Sequence, residues 1–300
     1  MKKRIFALFL SALLLVTVLC ACGDESQSEV GGTGSDGTST SGEAVTGGEL
    51  VVGISQDLGD SLDPYQMTAA GTREVLFNVY EGLVKPTSTG EYVPAVASDS
   101  TVSEDGLTYT FPLREGVLFH NGEEVTTDDV IYSFETCAET TVDTALAAAL
   151  SAVESVTADG NTITVTLSEA NPDFLSYVGM VYIVPDDYTD QATAPVGTGP
   201  FKFVSRTAQD SIVLEKFDGY WGTPASLDKV TFKIIEDSNA LMSALSAESV
   251  DMAVHLTIDQ VNTIGEGTYK TLEGTMNLVQ ALYLNNNVEP FNNEQVRQAL

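Results

Sequence analysis

Few residues in this 300-residue chain combine the type and spacing that chemistry requires. Cys20 and Cys22 stand two apart, a spacing open to a redox pair or a metal clip. The two histidines, His120 and His255, lie far apart in sequence. Asp and Glu number 43 against 13 Lys and Arg, so some carboxylates will meet in any fold and a dyad among them carries no information. There is no H-E-x-x-H, no G-x-S-x-G and no G-x-x-x-x-G-K-S/T. No Cys/His cluster has zinc spacing. Gly32 to Gly37 spells G-x-G-x-x-G, but that motif cradles a dinucleotide only between a strand and a helix, and this stretch has neither neighbour. Nothing in these residue types points to an enzyme, a bound metal or a cofactor.

The flanks of the cysteine pair decide its meaning. Lys2, Lys3 and Arg4 precede a run from Ile5 to Leu19 that is apolar except for Ser11 and Thr17. The run is short for a membrane span and has the length and charged head of a secretory signal. Leu19, Ala21 and Cys22 resemble a bacterial lipobox. That resemblance implies cleavage after Ala21 and a lipid on the Cys22 sulfur, with Cys20 leaving in the signal. A plain signal or an N-terminal anchor helix is the alternative. Residues 22–48 are mostly Gly, Ser, Thr, Asp and Glu and read as a flexible tether.

Removing residues 1–21 leaves 10 basic residues against 43 acidic ones. A surface so acidic repels nucleic acid, whose binding rests on Lys and Arg. Besides the cysteine at position 22, only Cys137 remains, so no internal disulfide forms. The roughly 250 residues after the tether suggest two lobes.

The elements that must position any site follow from periodicity. Strands are expected at Glu49–Ser55, Leu107–Leu113, Ile163–Leu167, Val230–Ile234, Met252–Leu256 and Asn277–Leu284. Phe201–Ser205 and Ile212–Phe217 read as a hairpin. Helical spacing covers Thr72–Leu83, Thr141–Val153, Ser238–Ala247 and the stretch from Asn292 onward. Thr126 and Asp129 resemble a capping box, which places Val130, Ile131, Phe134 and Cys137 on one helix face and makes Cys137 a core residue. Mixed strands and helices indicate an α/β or α+β chain with mixed sheets.

Seven segments, in order, resemble the extracellular solute-binding proteins of ABC importers, specifically the oligopeptide/dipeptide/nickel class. They are Ser61-Leu62-Asp63-Pro64, LFNVYEGLV from Leu76, the stretch Glu104–Glu135, VGTGPFKFV from Val196, EKFDGYWG from Glu215, LDKVTFKII from Leu227 and PFNNEQVRQAL from Pro290. Their physical readings are scaffold. Gly197, Gly199 and Pro200 set a tight turn into a strand, Tyr220 and Trp221 plug the end of the hairpin, and His120 is structural. The resemblance implies a two-lobed, periplasmic-binding-protein-like (type II) fold. Residues 49–75 and 186–285 would form a first lobe, 76–185 an inserted subdomain, and 286–300 the start of a second lobe cut short at Leu300.

The resemblance also implies the solute site. Asp57, Leu58 and Gly59 should line the cleft and pair their backbone with an extended peptide by strand addition. Val254 and His255 should face the same cleft, with Tyr283 and Asn285 near the hinge. His255 would hydrogen-bond a solute or a bound metal, and a partly exposed surface histidine is the alternative of equal weight. The implied function is non-enzymatic capture of a small solute, a short peptide above all, for delivery to the transmembrane subunits of an ABC permease. The protein would be held at the outer face of the membrane through lipid on Cys22, with no nucleic-acid partner. A sensor or adhesion lipoprotein on the same fold is the alternative, as is a nickel-chelate or sugar binder of the same class.

Overall fold

A computed structural model describes residues 46–67, 69–264, 269–274 and 284–299. The proposed lipidation site Cys22, residues 22–45 of the tether, Tyr283, Leu300 and most of the strand expected at Asn277–Leu284 lie outside them. In chain order the described elements begin with strand β1 (Glu49–Ile54), helix α1 (Ala70–Leu76), β2 (Val84–Pro86), β3 (Tyr92–Pro94), β4 (Thr101–Val102) and β5 (Thr108–Pro112). Next come α2 (Thr127–Thr140), α3 (Thr144–Leu150), β6 (Val153–Asp159), β7 (Thr162–Leu167), α4 (Phe174–Val178), β8 (Phe201–Thr207), β9 (Ser211–Lys216) and β10 (Lys229–Ile234). The last are α5 (Ser238–Ser246), β11 (Met252–Ala253), α6 (Ile258–Ile264) and α7 (Glu294–Gln298).

Among the described residues three sheets form. The largest has the order β11-β1-β10-β9-β8, with β1 parallel to both β10 and β11. A second sheet orders β4-β5-β7-β6, and β2 pairs with β3. Alternation decides which face is buried. Tyr109, Phe111 and Leu113 point inward from the β5 stretch, as do Ile163, Val165 and Leu167 from β7, while Thr108, Thr110 and Pro112 stay half-buried. The capping box at the start of α2 is complete: Asp129 donates its amide to the Thr126 hydroxyl, and its carboxylate accepts from the Thr126 amide. Val130, Phe134 and Cys137 of that helix are buried, and burial pushes the Cys137 thiol up to about 12. Cys137 is an inert core residue.

The helix expected over Thr72–Leu83 stops at Leu76. Val75, Leu76, Val79, Tyr80 and Leu83 are buried while Phe77 is exposed, and the chain after Leu76 turns instead of coiling on. The carbonyls of Asn78 and Val79 accept from the amides of Phe201 and Gly199 at 3.1 and 2.9 Å. Farther on, the Gly82 and Leu83 carbonyls accept from Val96 and from Ala95 and Ala97. Tertiary partners thus take the Asn78 and Val79 oxygens that a longer helix would have used.

Those partners explain the Gly197–Pro200 segment differently from a tight turn. A Cβ on Gly197 would lie 2.3 Å from the Val79 oxygen, and one on Gly199 2.4 Å from the Asn78 oxygen. The glycines are there because two backbones touch. His120 locks the contact from the other side. Its amide donates to the Gly197 carbonyl at 2.9 Å, its Nδ1 accepts from the Gly197 amide at 3.3 Å, and its Nε2 stands 3.0 Å from the Gly199 carbonyl. Both bonds are met by a neutral ring carrying its proton on Nε2. Burial accordingly lowers the His120 pKa to about 4, despite the Gly199 carbonyl that favours the charged form.

Candidate functional site

The parallel strands β1, β10 and β11 end together, at Ile54, Ile234 and Ala253. The turn between the antiparallel strands β8 and β9 lies at the same edge. Chain segments leave the sheet there at Ser55–Gly59, Ile235–Asp237 and Val254–Thr257. In open α/β sheets the crevice outside the carboxyl ends of parallel strands is where ligands bind, because diverging loops leave a gap.

Asp57, Leu58 and Gly59 are fixed by a residue that sequence reasoning missed. Arg206, on β8, donates to the Leu58 carbonyl at 2.8 Å and the Gly59 carbonyl at 2.7 Å, and stands 3.1 Å from the Asp57 carboxylate. Asp57 also accepts from the amides of Leu58 and Gln209, at 2.7 and 2.8 Å. Burial works to raise the Asp57 pKa, but the Gln209 amide, Arg206 and the Leu58 amide outweigh it and hold the carboxyl below its ordinary value. The Gly59 amide donates to the Thr72 hydroxyl at 2.8 Å. Every amide and carbonyl of Leu58 and Gly59 is therefore engaged within the chain, and the Leu58 side chain is buried. Neither Leu58 nor Gly59 has an amide left to donate to a peptide backbone, so strand addition at this segment would fall to Asp57. A signal for Arg206 was present, since Arg and Lys are scarce here and an arginine in a strand calls for acceptors, but sequence alone does not say which.

Val254 continues β11 and donates its amide to the Gly53 carbonyl at 3.2 Å. His255 follows with φ of +59°, a left-handed conformation uncommon outside glycine. Its ring is about half exposed, and Nε2 stands 3.3 Å from a Glu74 carboxylate oxygen. Helix α1 thus touches both halves of the edge, with Thr72 holding Gly59 and Glu74 meeting His255. Asn285 is exposed in a turn where its side-chain oxygen accepts from the Asn287 amide at 3.0 Å. No hydrogen bond or ion pair among the described residues joins Asn285 to this edge, and Tyr283 lies outside them. Among the described residues no group of three His, Cys, Asp or Glu is placed to hold a metal ion.

Tyr220 and Trp221 lie at the opposite end of the sheet. They close over Glu81, which is buried. The Tyr220 hydroxyl and Trp221 Nε1 donate to its two carboxylate oxygens at 2.8 and 2.7 Å, and Lys85 donates to it at 2.7 Å. Burial, reinforced by the Glu81 charge, pushes Tyr220 up to about 12. Burial opposes the Lys85 charge, yet Glu81 raises its pKa on balance. The Arg114 guanidinium stacks 4.2 Å from the Trp221 ring.

Comparison with known proteins shows the family and the fold. The family described as "Bacterial extracellular solute-binding proteins, family 5 Middle" matches residues 91–300. The chain is 29% identical over 252 residues to the glutathione-binding protein GsiB of Pectobacterium atrosepticum, covering 80% of this chain and 49% of that one. It is 32% identical over 257 residues to heme-binding protein A of Haemophilus influenzae, covering 74% and 46%. Among solved structures, the periplasmic binding protein DppA of Helicobacter pylori, in complex with the peptide STSA, superposes with a TM-score of 0.67 at 30% identity, covering 73% and 49%. A dipeptide-binding protein of Pseudoalteromonas, in complex with Met-Leu, shares the fold with a TM-score of 0.73 at 20% identity, covering 84% and 56%. The chain spans about half the length of the curated relatives it matches.

Proposed function

The chain belongs to the bacterial extracellular solute-binding proteins of family 5, and from that premise we propose that it captures a short peptide and delivers it to the transmembrane subunits of an ABC permease. One observation of this chain carries the reading. Asp57–Gly59 and Val254–His255, far apart in sequence, converge at the carboxyl edge of one parallel set of strands and are both tied to helix α1. In this reading Asp57, Leu58 and Gly59 form a rigid wall, and Val254 and His255 supply the accessible contacts. Tyr283 and Asn285 approach the solute from the hinge side. Residues 49–75 with 186–285 form the first lobe, 76–185 the inserted subdomain, and 286–300 lead into the second. Lobes closing on a solute would bury it and start its delivery.

The same reading holds the protein at the extracytoplasmic face of the membrane by lipid on Cys22. No helix among the described residues is long and apolar enough to cross a membrane. Deletion of the gene tests the transport role. Uptake of radiolabelled di- to pentapeptides should fall, and complementation should restore it. Unchanged uptake with a lost transcriptional or adhesive response would instead assign the protein as a surface sensor or adhesin.

A further inference from the structure

Away from the carboxyl edge, at the amino ends of β1 and β10, a shallow pocket of about 640 Å³ opens beside the aromatic pair. Pro200, Phe201, Tyr220, Trp221 and Leu227 give it an apolar wall, and among the described residues Lys85 is the only charged side chain lining it. Its volume falls within the range of sites for small molecules.

Two features make this more than a gap under a loop. The walls are rigid in advance of any ligand, because Glu81 fixes Tyr220, Trp221 and Lys85 with bonds of 2.7 to 2.8 Å. A ligand here would lose little to ordering the protein. The ammonium is also incompletely used. It has three donors, and among the described residues two go to Glu81 and to the Tyr220 hydroxyl, the latter at 3.0 Å. Its side chain remains 37% exposed at the pocket. The pocket therefore offers one ammonium donor at the end of an aromatic and aliphatic wall. In a chain of net charge −30 such a position is unusual.

We propose that this pocket is a second ligand site that takes a small amphipathic carboxylate, with its apolar body against Trp221, Phe201 and Leu227 and its carboxylate on Lys85. It lies at the other end of the sheet from Val254 and His255, so occupancy here is separate from capture of the transported solute.

Trp221 is the one tryptophan of the chain, so its fluorescence reports this pocket directly. Hexanoate and 3-phenylpropionate should shift its emission saturably, while hexanol and hexylamine should bind at least about tenfold more weakly, the ratio that one charge-assisted hydrogen bond sustains. Lys85→Gln should remove that preference and Lys85→Arg should retain it. Lys85→Gln leaves Glu81 short of a partner and can unfold the pocket. Thr223→Glu, at the exposed rim and outside the Glu81 network, provides the second test and should abolish carboxylate binding with the fold intact. His255→Ala should leave the titration unchanged. Equal binding of carboxylate, alcohol and amine, no saturable shift with any of them, or unaltered carboxylate binding by folded Thr223→Glu protein would each overturn the assignment.

Discussion

Two side chains, Arg206 and His120, act at the residue scale by holding backbone, and each has a testable cost. Arg206 is mostly buried and satisfies two carbonyls and a carboxylate. Arg206→Gln strands all three, and urea unfolding should show a loss of about 2–4 kcal/mol, the range for removing one partner from a buried charged network. His120 gives a pH dependence whose sign follows from its lowered pKa. Its ordinary value is 6.5 and its folded value about 4, so between these the unfolded chain binds the extra proton and stability rises with pH. The contribution is fully present above 6.5 and is lost as pH falls toward 4, about 3 kcal/mol in all. His120→Phe should flatten the pH dependence of urea midpoints in that window. An unchanged slope would show that burial does not hold the ring neutral. The role of His120 was legible in sequence as structural. Its tautomer was not, because the partners sit 77 and 79 residues away.

At the scale of elements, strands announced themselves and contacts between backbones did not. Alternation in β5, β7 and β10 and the capping box of α2 are local patterns, and they placed those elements correctly. The stretch after Leu76 misled because its apolar spacing is helical and Val79, Tyr80 and Leu83 are buried, yet its carbonyls serve the Gly199–Phe201 segment and the stretch around Ala95. Periodicity reports which side chains are buried and leaves open which amides the oxygens meet. The short edges β2, β3 and β4 have too few residues to show a period. A pair of substitutions separates the two uses of glycine. Gly199→Ala drives a Cβ to 2.4 Å from the Asn78 oxygen and should destabilise by about 3 kcal/mol. Gly71→Ala, within α1 and with only the Gln56 amide oxygen at 4.0 Å, should stabilise by up to about 1 kcal/mol. Thermal melts of the two variants should move in opposite directions.

For the whole molecule, the direction of the main sheet organises function. The chain enters at the amino end of β1, where Gly47 and Gly48 are bonded to Ser226 and Asp228, and the proposed solute edge lies at the other end. Fold class and family were legible because seven short motifs occur in order over 250 residues. The solute was not, because motifs that build scaffold, such as Gly197–Gly199 and Tyr220–Trp221, constrain backbone approach and packing and not the ligand. Anchoring belongs to this scale as well. Cys22→Ala should shift the protein from the membrane fraction to the medium and abolish acyl labelling, and retention in the membrane would contradict the lipobox reading. The most direct measurement is isothermal titration of the native protein with a mixed set of di- to pentapeptides, repeated with His255→Ala. Saturable binding of peptides, weakened about tenfold by the substitution as loss of one charged hydrogen bond implies, is the predicted result. Tight binding of a nickel chelate or a sugar, with no heat from any peptide, would contradict it.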